Sequence, residues 1–136
     1  MAKQYKTGIE IYKIGTQYYN DAGHCSVVAV AVSTGVAYGR ALKEMTRQGR
    51  VLRQGASQQQ IHDAIKSLGY TVTRCDMRVN GTVSTITSKL PNLGTFIAYV
   101  RGHILTIRDG KVMDWSEGRR HRILSVYQVQ KAGNYD

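Results

Sequence analysis

The sequence predicts an α+β protein in which helices come first and an antiparallel β-sheet follows. Apolar residues recur at helical spacing between residues 37 and 68. The last third of the chain instead contains β-branched, apolar runs that are separated by turn residues, and Asp109-Gly110 is a strong two-residue hairpin signal. Helical segments followed by strands are typical of this class. With 136 residues, we expect residues 1–136 to form a single domain.

Two helices are predicted in the first half of the chain. Ala37–Gln48 places apolar residues on one helical face, and Gly49 follows at the position of a helix C′ residue. Ser57–Leu68 begins with a capping-box pattern and ends before Gly69. The apolar segment Ser26–Thr34 is ambiguous by periodicity, and its β-branched content favours a strand.

The second half is predicted to contain mostly strands. Thr82 is a candidate cap for a helix that runs to about Leu90, before Pro91. The predicted strands are Tyr70–Cys75, Thr95–Arg101, His103–Arg108, Lys111–Trp115 and Arg122–Gln130.

Composition indicates a basic protein. Nineteen Lys and Arg against nine Asp and Glu give a net charge of +10, which favours an acidic peptide or protein substrate, or nucleic acid, as a partner. The one tight cluster of charge is Arg119–Arg122. The longest apolar run, Val27–Val32, is far shorter than the ~20 residues of a spanning helix, and the N-terminus lacks the apolar core of a secretory signal. We therefore expect a cytoplasmic protein with no membrane partner.

The two cysteines, Cys25 and Cys75, differ in their surroundings. Neither belongs to a C-x-x-C pair, and no histidine or acidic spacing is typical of a metal site, so no metal or cofactor is expected. Cys75 falls in a predicted strand and is interpreted as a core residue. Cys25 opens an apolar segment. If that segment is a helix, its N-terminus would lower the pKa of the thiol.

The predicted hairpin offers a partner for Cys25. With Asp109 and Gly110 as the turn, Leu105 faces Asp114, and His103 shares a face of the ribbon with both. His103 and Asp114 are then diagonal neighbours at roughly 7–8 Å, within reach of a hydrogen bond between carboxylate and imidazole. A cysteine hydrolase needs a thiolate, an imidazole and a group that orients the imidazole. Cys25, His103 and Asp114 supply these three types.

Two stretches carry a resemblance to a known family. Asn20–Tyr38 holds the Cys and the apolar segment that leads into Thr34-Gly35, and Val100–Trp115 holds the His and the Asp. In this order and context they resemble papain-like cysteine peptidases, and within that group the small bacteriocin-processing type and related short proteins of phages and bacteria. The family usually has Asp immediately before the Cys, whereas three residues separate Asp21 from Cys25 here.

The resemblance has consequences for fold and site. It implies a helix rather than a strand for Ser26–Thr34, packed with the other helices against the late antiparallel sheet. It also implies that Cys25 is the nucleophile, His103 the general base and Asp114 the residue that orients the imidazole. For the oxyanion hole it implies a side-chain donor ahead of the Cys, for which Gln17 is the candidate and Asn20 the reserve.

The leading hypothesis is a phage-encoded peptidase or isopeptidase that acts in the host cytoplasm. A second is a catalytically inactive papain-like fold whose basic surface binds nucleic acid or a host protein. A third is acyl transfer by the same triad, because hydrolysis and transfer share an acyl-enzyme. His24 is interpreted as structural, Trp115 as a packing residue, and no partner is predicted for His62 or His121.

Overall fold

The computed structural model describes residues 8–21, 23–75, 81–91, 93–113 and 119–132. Within them the helices lie mainly in the N-terminal half and an antiparallel sheet lies on the C-terminal side, the predicted α+β arrangement. The elements in chain order are α1 Gly8–Tyr18, α2 Cys25–Thr34, α3 Tyr38–Arg47, α4 Gln58–Ser67, β1 Tyr70–Arg74, α5 Val83–Ile86, β2 Thr95–Val100, β3 His103–Arg108, β4 Lys111–Val112 and β5 Ser125–Lys131.

The described strands form one sheet in the order β1-β5-β2-β3-β4, and all neighbouring strands are antiparallel. The register of the β3–β4 hairpin is confirmed, since Ile107 pairs with Val112 and Arg108 with Lys111. Asp109 and Gly110 have φ values of 50° and 79°. Two successive positive φ values are what a tight hairpin turn requires.

Apolar side chains cover both faces of the sheet. On one face, Ile97, Tyr99 and Ile104 pack against helices α1–α4. On the other face, Phe96 and Leu105 belong to a second cluster with α5. Because side chains alternate along each strand, β2 and β3 are buried on both faces over most of their length.

Helix α2 is the centre of the helical layer. Every residue from Ser26 to Thr34 is buried, and a helix that is apolar all round belongs in a core. The strand favoured by its β-branched content is therefore wrong. A helix pairs its own backbone groups, so the segment can be buried on all sides without neighbouring strands.

The remaining predictions differ from the structure mainly at element ends. The capping box of α4 is confirmed, with Ser57 Oγ accepting from the Gln60 N–H at 3.1 Å. The helix predicted from Thr82 to Leu90 is helical only over Val83–Ile86. Its Ser and Thr hydroxyls bond to nearby carbonyls, as Ser88 Oγ does to the Thr85 carbonyl at 2.8 Å, which competes with a longer helix.

Candidate active site

Cys25 is the first residue of α2 and is half-buried. Its sulfur therefore lies at the end of the helix where backbone N–H groups have no intrahelical partner and the helix dipole is positive. Burial of the nine residues that follow holds the helix in place. At the other end, Gly35 adopts φ 76° and donates its N–H to the Ala31 carbonyl at 2.8 Å, which closes the helix.

His103 is the first residue of β3. It pairs with Val100 of β2 across a two-residue turn formed by Arg101 and Gly102. Gly102 has φ 75°, in the left-handed region that glycine adopts without strain. The turn places His103 at the end of the sheet that meets the N-terminus of α2, where it lines the same cavities as Cys25.

The His103 imidazole is a hydrogen-bond partner of the Cys25 sulfur. Burial raises the pKa of the Cys25 thiol. The hydrogen bond and charge of His103, together with the backbone N–H groups of Ile104 and Ser26, more than offset burial and bring the pKa below its ordinary value. A thiol with these neighbours forms a thiolate more readily, and the thiolate is the nucleophilic form.

The N–H of Ile104 reaches the sulfur from one edge of β3. The Met113 N–H donates to the Thr106 carbonyl at 2.9 Å, so Thr106 directs its backbone groups towards β4. Ile104, two residues earlier, directs its groups to the same edge of β3. The N-terminus of α2, with the sulfur of Cys25, therefore meets β3 at this edge.

The sequence predicts that the side chain of His103 shares one face of β3 with those of Leu105 and Ile107. In the structure, His103 also contacts a residue of the helical cluster on the other side of the sheet. Leu105 and Ile107 lie in the cluster opposite α1–α4, while Cys25 packs against the helical cluster. His103 contacts Cys25 from the first position of its strand, at the margin of the sheet. The alternation of side chains along the strand therefore did not predict that the His103 imidazole contacts a residue of the helical cluster.

A buried carboxylate fixes the chain before Cys25. Asp21 is 3% exposed and accepts hydrogen bonds from Arg50 Nη1 at 2.9 Å and Nη2 at 3.0 Å, the Tyr38 hydroxyl at 2.9 Å and the Arg53 N–H at 2.8 Å. Burial raises the pKa of Asp21, but these partners lower it to about 2. The carboxylate is fully charged at neutral pH and anchors the segment that leads into α2.

His24 completes this anchor. Its ring is fully buried, stacks on Tyr12 with ring centroids 4.3 Å apart, and donates from Nε2 to the Tyr12 carbonyl at 3.1 Å. A Cβ at Gly15 would lie 2.7 Å from the Tyr38 hydroxyl and 2.8 Å from His24 Cδ2. The absence of a side chain at Gly15 thus allows α1 to approach His24. These contacts agree with the structural interpretation of this residue.

Two open cavities meet at the Cys25–His103 pair. The α1 groove, of about 500 Å³, is lined on its far side by Ile9, Tyr12, Lys13, Thr16, Gly23 and His24. The α4 groove, of about 310 Å³, lies between the start of α4 and the β2–β3 turn, and includes Ser26, Gly55, Gln58, Tyr99 and Gly102. An extended chain laid through both grooves would pass over the sulfur.

The other predicted site residues remain predictions. Asp114 lies outside the described residues. Gln17 is exposed on α1 and lines neither groove. Asn20 has φ 50°, and its carbonyl and Oδ1 both accept from Arg53 Nη1 at 3.2 Å. The backbone N–H of Cys25 lies in the first turn of α2, where N–H groups have no intrahelical partner.

The remaining singled-out residues lie elsewhere. Cys75 follows β1 and packs against the cluster that contains Phe96. His62 lies on α4, where its Nε2 is 2.9 Å from the Tyr99 hydroxyl, and burial lowers its pKa. The His121 carbonyl accepts from the Val83 N–H at 3.0 Å. Trp115 lies outside the described residues.

Sequence reasoning missed the bond from Arg50 to Asp21 and the burial of Ser26. No local pattern signals the ion pair, because the two partners lie 29 positions apart in the sequence. An acid in a short segment ahead of the proposed nucleophile was the available hint, and it was interpreted only as part of a turn.

Among the described residues, no three His, Cys, Asp or Glu side chains are placed to share a metal ion. None of the described helices is by itself long and apolar enough to cross a bilayer. Helices α2 and α3, which are bent by 117° relative to one another, reach the necessary length and apolar composition only when taken together. Comparisons with protein-family models, with curated proteins and with solved structures found no match for the chain.

Proposed function

We propose that the protein is a papain-like cysteine peptidase or isopeptidase in which Cys25 is the nucleophile and His103 the general base. The observation that carries the proposal is the hydrogen bond between the His103 imidazole and the Cys25 sulfur at the N-terminus of α2, which lowers the pKa of the thiol. Helix start, imidazole and thiol are the combination that activates cysteine nucleophiles.

The reaction follows from these positions. The Cys25 thiolate attacks the carbonyl carbon, and the Cys25 N–H, with Gln17 or Asn20 as side-chain donor, binds the oxyanion. His103, protonated as the imidazolium, gives its proton to the leaving amine as the C–N bond breaks and leaves a thioester on Cys25. Water then attacks the thioester, and His103 takes its proton and returns it to the departing sulfur. In this scheme Asp114 orients the imidazole.

The substrate class is a peptide or protein, with no cofactor. The two grooves on either side of the sulfur fit an extended chain, and the +10 charge favours an acidic one. The resemblance to short phage proteins suggests action in the host cytoplasm. An amine that replaces water in the second step would turn hydrolysis into acyl transfer, and the mass of the product formed with added amine separates the two.

The test is site-selective alkylation. Iodoacetamide at neutral pH is expected to label Cys25 ahead of Cys75, and His103→Ala is expected to abolish that preference, as read by peptide mass mapping. The matched control is His62→Ala, which removes a half-buried histidine that lines neither groove. Equal labelling of both thiols in the folded wild-type protein would refute the proposal.

A second candidate function is the inactive basic binding module. The exposed residues Arg120 and Arg122 favour it, because their segment is held in place by backbone bonds from Val83 and Ser84 to the carbonyls of His121 and Arg119, at 3.0 and 2.9 Å. Retention of the protein on immobilised RNA or DNA that falls steeply with salt, together with unselective alkylation, would favour this function over hydrolysis.

A further inference from the structure

Ser26 has a buried hydroxyl group whose burial the described part of the structure does not explain. The side chain is 1% exposed, and its Oγ has no hydrogen-bond partner within the described part of the chain. Buried polar groups in proteins are almost always paired, and an unpaired one costs stability. An apolar residue of similar size would pack here without that cost.

Ser26 is one of the residues that line the α4 groove, next to Cys25. The other polar groups around it are the amide of Gln58, the imidazole of His103 and the hydroxyl of Tyr99, which is bonded to His62 Nε2 at 2.9 Å. The described lining of the groove contains no acidic side chain. It therefore offers hydrogen-bond donors without a fixed negative charge.

The electrostatic setting favours an anion. Ser26 lies in the first turn of α2, a ten-residue helix whose dipole is positive at this end. Arg101 is exposed in the turn between Val100 and Gly102, both of which line the groove. The acid closest in sequence among the described residues, Asp21, is already paired with Arg50.

We propose that the α4 groove binds the carboxylate of an acidic substrate residue next to the scissile bond, and that the Ser26 hydroxyl donates the hydrogen bond that recognises it. This inference rests on the proposed function, since it assigns a subsite to the same thiol. The proposal narrows the substrate class from peptides attracted by overall charge to peptides with Asp or Glu beside the bond that is cut.

Two small alkylating agents test the proposal without knowledge of the substrate. Iodoacetate and iodoacetamide differ in charge and both react at the sulfur, so the ratio of their rates at Cys25, divided by the ratio for free cysteine, reports recognition of a carboxylate. We expect a normalised ratio well above one in the wild type. Ser26→Ala should lower it about tenfold, the value of a hydrogen bond to a charged group, and Ser26→Thr should retain it.

Charge variants provide an independent arm. Arg101→Gln should lower the ratio, whereas Arg74→Gln, at an exposed position on the outer strand β1, should not. A Cβ at Gly55 meets nothing within 4 Å, so Gly55→Asp places a negative charge at the groove at little steric cost. It should lower the ratio relative to the matched Gly55→Asn.

The outcomes separate the two levels of inference. If labelling of Cys25 does not depend on His103, the proposed function fails and the subsite fails with it. If labelling depends on His103 but Ser26→Ala and Gly55→Asp both retain the wild-type ratio, the groove does not read a carboxylate and only the subsite is overturned. Melting temperatures of the variants confirm that each is folded.

Discussion

The two cysteines of this chain are both half-buried, yet their thiols are shifted in opposite directions. Burial raises the pKa of the Cys75 thiol, and a backbone hydrogen bond from Gln128 offsets only part of that effect. Burial also raises the pKa of Cys25, but there the imidazole of His103 and two backbone N–H groups reverse the sign. Partial burial is thus common to an inert thiol and an activated one, and the donors around the sulfur make the difference.

Position in the fold supplies those donors. Cys75 follows the outermost strand, and its own N–H is bonded to the Val126 carbonyl at 2.9 Å. Cys25 starts a helix whose N-terminus meets the edge of β3 at Ile104. At Cys75 the chain continues from the sheet, so backbone groups are already paired. At Cys25 a helix meets a strand, and N–H groups at the helix N-terminus are available to hydrogen-bond a side chain.

The largest effect on this comparison is expected from His103→Ala. Without the imidazole, its hydrogen bond and charge no longer lower the pKa of the Cys25 thiol while burial still raises it, so the pKa should shift upward, in the direction of Cys75. Peptide hydrolysis should fall about 10³-fold or more. The pH dependence of the alkylation rate of each cysteine, followed by mass mapping, checks the pKa. A Cys25 profile that stays in place would contradict the role given to His103.

Arg50→Met is expected to have the next largest effect, through stability. It leaves the Asp21 carboxylate buried without its bidentate partner, and breaking a buried ion pair in this way costs about 3–5 kcal/mol. The free energy of unfolding from urea titration measures the loss. The control is Arg47→Met, whose pairing with Glu44 at 3.6 Å is exposed on the Arg47 side and should change stability by less than about 1 kcal/mol.

Acid should weaken the same anchor. The pKa of Asp21 is lowered from 3.8 to about 2 in the folded protein, so its contribution to stability is complete above pH 4 and is lost as the pH falls towards 2. Urea midpoints measured across this range should fall more steeply for the wild type than for Asp21→Asn. Parallel curves for the two proteins would show that Asp21 does not contribute to the pH dependence of stability.

The smallest expected effect is a small gain in the free energy of unfolding. Ser26→Ala removes a buried hydroxyl that has no partner in the described structure, so the free energy of unfolding should stay constant or rise by up to about 1 kcal/mol. The Ser26 N–H is retained, so the pKa of Cys25 should not move. Thermal and urea unfolding check the first point, and alkylation profiles the second. A loss of more than about 1 kcal/mol would show that the hydroxyl has a structural partner.

The sequence predicted those features whose cause is local. The capping box at Ser57 and the turn at Asp109-Gly110 were predictable because each depends on residues at most three positions apart. The helical state of Ser26–Thr34 was not readable from composition, because it depends on burial by three other helices and the sheet. The pairing of Asp21 with Arg50 joins distant segments and leaves no pattern in either of them.

The site was predictable in its residue types and less so in its geometry. Cys25 and His103 were singled out, and the structure brings their side chains together. The contact of the Ile104 N–H with the sulfur joins two distant segments of the chain, so no local pattern predicts it. Asp114 remains a prediction, as do Gln17 and Asn20.

Strand β3 is tied to both ends of α2. His103, at its start, bonds to the sulfur at the beginning of the helix, and the Arg108 guanidinium, at its end, donates to the Val32 carbonyl near the helix C-terminus. Between these two contacts the strand rises about 16 Å, from His103 to Arg108, and the helix about 10 Å, from Cys25 to Val32. The two contacts therefore fix the position of α2 along β3. One residue inserted within either would break a tie, whereas loops that join them can change length freely.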